Sequence, residues 1–173
     1  IEERSFFQVN IPQAERLLSL AADALRLESD STLTDGYGGV GLFSLGCAPL
    51  TADIRLFDTA EWAVDDAGYN AGESGFTRFR GFTGGMKEAF DSFGPSGRLV
   101  IDPPRTGLGL KAVEGAVRFG ADRIGYVSCN PTTLARDLKL FSERGYMVLH
   151  ASPVDMFPHT YHIETVAELQ RER

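Results

Sequence analysis

Apolar positions along the chain switch repeatedly between helical and strand spacing. Leu17, Leu18, Ala21, Ala24 and Leu25 recur at three- and four-residue intervals, which predicts a helix over residues 12–27 with Pro12 in its first turn. Residues 32–35 then read as a short strand that runs into a glycine-rich turn. Residues 40–47 read as a helix stopped by Pro49, 52–58 as a second strand and 60–70 as another helix. Residues 76–82 alternate as a third strand would, and 86–90 form a helical turn. An apolar strand over 98–102 is bounded by Pro103-Pro104, and a helix follows over 110–119. A fifth strand spans 123–128, Pro131 opens a helix that runs to about residue 144, and the last strands cover 146–151 and 163–169.

This alternation predicts an α/β domain: a mostly parallel sheet of about seven strands with helices on both faces. No helix separates the final two strands, so the chain is expected to close on an antiparallel pair. No internal repeat or linker interrupts the pattern, and residues 1–173 read as one domain.

In such sheets ligands bind beyond the carboxyl ends of the strands. Asp35-Gly36-Tyr37-Gly38-Gly39-Val40-Gly41 follows the first strand and lets backbone approach a ligand closely. Asp58 ends the second strand, about 20 residues beyond the glycine turn, where a carboxylate commonly holds ribose hydroxyls. The pair suits a nucleotide such as NAD or S-adenosyl-L-methionine; the alternative is an ordinary strand–helix turn with a solvated Asp. Asp102 ends the fourth strand, and two prolines hold a rigid exit from it. Cys129 follows the fifth strand, one turn ahead of a helix N-terminus that would favour its thiolate form. Cys47, inside a helix, reads instead as a small buried apolar residue.

Composition narrows the setting. Hydrophobic residues make up 43% of the chain, and no apolar run reaches the roughly 18 residues of a membrane helix. Two cysteines do not form a disulfide framework, so a reducing cytoplasm is expected. The net charge is −7, whereas a domain that grips nucleic acid unaided is usually basic. Either nucleic acid is not the substrate or another part of a longer protein supplies the grip. The chain opens with Ile1-Glu2-Glu3-Arg4 and lacks both a starting Met and a signal peptide, which is expected of a fragment or processed chain.

Four motifs, in order, resemble those of the RNA uracil-5-methyltransferase family. Ser5-Phe6-Phe7-Gln8-Val9-Asn10 is similar to its opening segment, and Asp102-Pro103-Pro104-Arg105-Thr106-Gly107 to its fourth-strand motif. Ser128-Cys129-Asn130-Pro131-Thr132-Thr133-Leu134-Ala135-Arg136-Asp137-Leu138 is similar to its nucleophile motif. Residues 155–166, which include His159, His162 and Glu164, are similar to its terminal motif. The resemblance implies a Rossmann-like class I methyltransferase sheet and S-adenosyl-L-methionine-dependent C5 methylation of a uridine in tRNA or rRNA. It further implies Cys129 as the nucleophile that adds to C6 and Glu164 as the base that takes the C5 proton. Gln8, Tyr37, Gly39, Gly41, Asp58 and Asp102 would surround the cofactor, with Asp58 on the ribose and Asp102 orienting cofactor or ring. RNA would be the partner, held with help from an N-terminal module outside this chain; no DNA or membrane partner and no metal is implied.

The chain departs from the family pattern on the cofactor half. Gly36 and Gly38 stand where an apolar residue and Cys or Ala are usual, which would raise the entropic cost of ordering the loop. Asp58 replaces a longer Glu, and Gly81-Phe82-Thr83-Gly84-Gly85 carries no carboxylate near the adenine position. His159-x-x-His162 lacks the further ligands a zinc site needs and is expected to shape the turn that presents Glu164. Arg105 and Arg136 read equally as phosphate contacts or as surface ion pairs. Rival readings are a catalytically silent interaction fragment and an amino-group N-methyltransferase, which would need no cysteine; a dehydrogenase would need hydride-handling residues that do not accompany the loop.

Overall fold

The structure, a computed structural model, describes residues 10–160 and 162–172, so Gln8 lies outside the described residues. Among the described residues there are seven strands: β1 (Thr32–Gly36), β2 (Asp53–Asp58), β3 (Phe79–Thr83), β4 (Arg98–Ile101), β5 (Arg123–Ser128), β6 (Tyr146–Val154) and β7 (Glu164–Arg171). The helices are α1 (Ile11–Leu25), α2 (Leu42–Gly46), α3 (Glu61–Glu73), α4 (Met86–Phe93), α5 (Gly109–Arg118) and α6 (Pro131–Ser142). The strands form one sheet of order β3-β2-β1-β4-β5-β7-β6. Strands β1 to β5 pair in parallel, and β7 runs antiparallel to both β5 and β6. The expected doubly wound sheet with a reversed last strand is what the chain adopts.

The alternation of side chains along each strand divides the core in two. Leu99, Ile101, Ile124 and Tyr126 face α4, α5 and α6 and join Phe57, Phe119 and Phe141. Val100 and Val127 point the other way, against Leu17, Ala21 and Leu25 of α1 and Phe43. Both faces are covered, which is why β4 and β5 read as continuous apolar runs rather than alternating ones. Among the described residues no helix is long and apolar enough to cross a membrane.

Element ends differ from expectation for local reasons. Helix α1 stops at Leu25 because Arg26 turns left-handed at φ 46°, and its N–H closes back on the Ala22 carbonyl at 3.1 Å. Helix α2 starts only at Leu42 because Gly41 caps it at φ 91°, and Ala48–Leu50 is a separate 3₁₀ turn. Strand β3 begins three residues later than its alternation predicts, where its pairing with β2 begins at Phe79↔Ile54. Strand β6 runs on to Val154, because β7 keeps pairing with it as far as Glu164.

Candidate active site

Strand order reverses at β1, whose neighbours are β2 and β4, so a crevice opens at their carboxyl ends. The Asp102 N–H donates to the Gly36 carbonyl at 3.2 Å, which fixes the exit of β4 beside the exit of β1. Strand β7 enters the same edge from the opposite direction. Its register sets Thr165 against Ser128, which brings Glu164 to the level of Cys129.

Two cavities occupy this edge. The first, about 280 Å³, is walled by Gly38, Gly39, Phe43, Asp58, Trp62 and Asp102, among others. The second, about 580 Å³, is walled by Pro103, Arg105, Cys129, Phe157 and Glu164, together with Tyr37, Asp58 and Asp102. Tyr37, Asp58 and Asp102 therefore belong to both and form the partition between them. Of the expected site residues, Tyr37, Gly39, Asp58, Asp102, Cys129 and Glu164 meet here. Gly41 lines neither cavity; it shapes the turn, donating to the Gly38 carbonyl at 2.8 Å.

Asp58 is held by the backbone on both sides. One carboxylate oxygen accepts the Gly39 N–H at 3.1 Å and the other accepts the Ala60 N–H at 2.9 Å. Each oxygen keeps a lone pair that could accept from a ligand hydroxyl. Tyr37 adopts φ 61°, unusual for a residue with a side chain, and its ring tilts against Phe57 at 6.1 Å.

The unusual glycines have a steric explanation. A Cβ on Gly36 would come within 2.6 Å of the Phe57 ring, and one on Gly38 within 2.6 Å of the Leu56 side chain. Large β2 side chains occupy the space that side chains on the loop would need. The two glycines match their surroundings rather than merely loosening the turn.

Charge in the crevice is predominantly acidic. Burial, with Glu164 and Asp35 nearby, pushes Asp102 up to about 8. Burial also raises Glu164, opposed by Arg105. Asp35 is fully buried and pushed up to about 7 by desolvation, although one of its oxygens accepts the Ser44 N–H at 2.9 Å. The Cys129 thiol is raised, first by burial and then by Glu164, with Arg105 pulling it back and Asp102 adding to the rise. This reverses the expectation of a thiolate favoured by the helix end. The cap of α6 is Asn130, whose side chain accepts the Thr132 N–H at 3.0 Å, and burial followed by Glu164 raises the thiol despite the nearby helix end. Arg105 is the cation that faces the sulfur.

Residues that motif spacing did not single out complete the walls. Trp62, in the first turn of α3, and Phe43 of α2 give the smaller cavity its apolar side, and Phe157 closes the larger. Trp62 carried a signal: it is the chain's single Trp, four residues past Asp58. His159 has φ 66°, and no group of three or more His, Cys, Asp and Glu among the described residues could hold a metal. Cys47 is fully buried as expected, although it lies in the turn between α2 and the 3₁₀ turn rather than inside a helix.

Comparison with known proteins places this site in context. The family model described as tRNA (Uracil-5-)-methyltransferase matches residues 73–172. An "Uncharacterized RNA methyltransferase" of Lactobacillus johnsonii is 39% identical over 99% of this chain and 39% of its own length. One from Streptococcus mutans is 37% identical over 98% of this chain and 38% of its own. The chain thus spans about two fifths of the length of these relatives. Among solved structures, the Pyrococcus abyssi tRNA (uracil-54, C5)-methyltransferase in complex with S-adenosyl-L-homocysteine superposes with a TM-score of 0.84 at 34% identity, over 98% of this chain and 41% of that one. A precorrin-6y C5,15-methyltransferase from Geobacter metallireducens shares the fold alone, with a TM-score of 0.76 at 14% identity over 90% of this chain and 88% of that one. The sheet is the class I S-adenosylmethionine-dependent methyltransferase fold.

Proposed function

Because this chain belongs to the tRNA (uracil-5-)-methyltransferase family, we propose that it methylates C5 of a uridine in tRNA or rRNA, through a covalent bond between Cys129 and C6 of the ring. The observation that carries this reading is the partition: Cys129 and Glu164 line one cavity, and Tyr37, Asp58 and Asp102 separate it from a second. Methyl transfer needs a donor site and an acceptor site that adjoin, and these two cavities meet at shared residues.

The smaller cavity fits S-adenosyl-L-methionine. Gly39 N–H fixes Asp58 with acceptor capacity to spare for a ribose, Phe43 and Trp62 offer apolar walls for a base, and the bare backbone at Gly38 permits close approach. Gly41 shapes the turn, Tyr37 and Asp102 face the reacting end, and Gln8 is assigned a contact on the family motif. When bound, the cofactor supplies an electrophilic methyl group on a positively charged sulfur, which the acidic wall complements.

Uracil C5 is a weak nucleophile until something adds at C6. The Cys129 sulfur forms a bond to C6, and the electrons of the C5–C6 double bond move toward C5 and the O4 carbonyl. C5 then takes the methyl group. Glu164 accepts the proton left on C5, the double bond re-forms, the C6–sulfur bond breaks and the thiolate returns. One methyl group enters and one proton leaves. Arg105 stabilises the thiolate at the start and end of the cycle. A uridine within folded RNA would have to leave its stack to reach Cys129. With a net charge of −7, the grip on RNA is assigned mainly to parts of the longer protein outside this chain.

The test is an RNA stem-loop carrying 5-fluorouridine, incubated with S-adenosyl-L-methionine and analysed by denaturing mass spectrometry. Fluorine cannot leave as a cation, so a methylated adduct should remain on Cys129 and be absent from Cys129→Ala. The solved relative acts on uracil 54 of tRNA, so a stem-loop presenting that position is the first substrate to use. Turnover by Cys129→Ala would overturn the covalent route and favour transfer to an amino group.

A further inference from the structure

Asp137 is a fully buried carboxylate on α6, away from both cavities. A buried charge costs several kcal/mol unless donors surround it, so its partners indicate what it is for. One oxygen accepts the Leu108 N–H at 2.7 Å and the Tyr126 hydroxyl at 2.8 Å. The other accepts the Gly109 N–H at 3.2 Å and the Arg136 Nε–H at 2.9 Å. Two of these donors are backbone groups where the segment after β4 enters α5. That segment starts at Asp102 and carries Arg105.

Other bonds tie the same segment to the start of α6. Asn130 Nδ2 and Thr133 Oγ1 both donate to the Arg105 carbonyl, at 3.2 and 3.1 Å. Arg136 Nη2 donates to the Thr106 carbonyl at 2.9 Å. At Gly107, φ +69°, a Cβ would lie 2.4 Å from an Asp137 oxygen, so the backbone is pressed onto the carboxylate. Cys129 directly precedes Asn130, the cap of α6, and Arg105 hangs from the clamped segment facing the sulfur.

We propose that Asp137 is a positioning residue: it clamps the segment after β4 onto α6 and so holds the Arg105 guanidinium against the Cys129 sulfur. The inference rests on the reading of Cys129 as nucleophile. The charged groups facing that sulfur are Arg105 from the clamped segment, Asp102 from the end of β4 and Glu164 from β7. Both carboxylates oppose the thiolate and are held apart from the clamp: Glu164 begins β7, and Asp102, one residue past β4, is pinned by its N–H to the Gly36 carbonyl; the sole supporting cation among them sits further along the loop. A loosened loop withdraws the support and leaves the opposition in place.

The experiment measures alkylation of Cys129 by iodoacetamide as a function of pH, read by peptide mass spectrometry on the full chain, with buried Cys47 as an internal check that the fold persists. Asp137→Asn keeps the shape but can no longer accept from all its donors. Its alkylation midpoint is expected to rise by about half to one pH unit, as loss of a nearby opposite charge does. Arg105→Gln should raise it similarly, and the double variant no further than Arg105→Gln alone, while affinity for S-adenosyl-L-homocysteine stays within about twofold. An unchanged midpoint in Asp137→Asn, or additive shifts in the double variant, would overturn the proposal. If Asp137→Asn does not unfold cooperatively, Arg136→Gln cuts the same clamp from the surface and must raise the midpoint too; no rise overturns it equally. RNA takes no part in this assay. A raised midpoint with no fluorouridine adduct in the longer protein that includes the RNA-gripping parts would sustain the clamp and sink the methylation reading.

Discussion

Asp102→Asn should make the ligand-free protein more stable, and increasingly so as pH rises from 6 to 9. Asp102 is pushed from its ordinary 3.8 to about 8, chiefly by burial and then by Glu164 and Asp35, and among the described residues no donor reaches its carboxylate. In an unfolded chain the group loses its proton near pH 4, whereas the folded protein keeps it to about pH 8. The folded state therefore binds more protons over that window, so stability falls as pH rises through it and levels off above pH 8. Each unit is worth about 1.36 kcal/mol, which gives an upper limit near 2.7 kcal/mol for the two units between pH 6 and 8. The side chain is partly open to the cavity, and water there should reduce the realised change to about 1–2 kcal/mol. Asparagine has no such proton to lose. Asp35, pushed up to about 7, contributes a similar slope to both proteins and largely cancels in the difference. Urea unfolding of the two proteins at pH 6 and pH 9 measures the gap directly, and the widening corresponds to roughly 2–8 °C in Tm for a chain of this size. The same substitution should weaken cofactor binding, because it removes a carboxylate from the partition. A gap that stays constant or narrows between pH 6 and 9 would refute the account of Asp102 as a carboxylate kept protonated by its surroundings.

Three further outcomes follow from the geometry. Gly38→Ala should destabilise the protein by about 1–3 kcal/mol through overpacking against Leu56, and the penalty should shrink in a Leu56→Ala background, a coupling that urea denaturation of the four proteins measures. Glu164→Gln should still attack an ordinary uridine RNA but release it slowly, so that a methylated adduct accumulates and turnover drops about 100-fold or more, as mass spectrometry and a methyl-release assay would record. Tyr126→Phe removes one donor from the buried Asp137 and should cost about 1–2 kcal/mol in chemical denaturation, with no change in cofactor affinity.

What could be read in the sequence was set by short-range physics. The runs Leu99-Val100-Ile101 and Ile124-Gly125-Tyr126-Val127 are apolar because helices cover both faces, so β4 and β5 stand out as buried parallel strands. Residues at strand ends could then be set around one crevice, since a doubly wound sheet gathers those ends. What spacing could not carry was the pairing of distant side chains. Gly36 and Gly38 looked like a loosened loop because the partners that require them, Phe57 and Leu56, lie on another strand. Arg105 and Arg136 looked equivalent, yet one faces Cys129 and the other is bound to Asp137. The helix N-terminus suggested a low thiol pKa, but burial of the sulfur and the approach of Glu164 arise only once β7 is folded against β5.

That convergence depends on the reversal of β7. The strand is eight residues long, about 26 Å from end to end at the usual rise per residue. If it ran parallel to β5, its first residue would sit at the amino edge of the sheet, that far from Cys129. Running antiparallel, it delivers its first residue to the carboxyl edge, with Thr165 paired to Ser128 and Glu164 one step beyond, facing the thiol. A carboxylate so placed hinders thiolate formation, as the raised thiol shows, and would be a defect in an enzyme that needed only a nucleophile. It makes sense where that carboxylate must later accept a proton from the carbon adjacent to the one the sulfur attacks. Arg105 offsets that hindrance only in part. The reaction proposed for this site requires a nucleophile and a base within one ring's width of each other, and the reversed strand supplies that pairing.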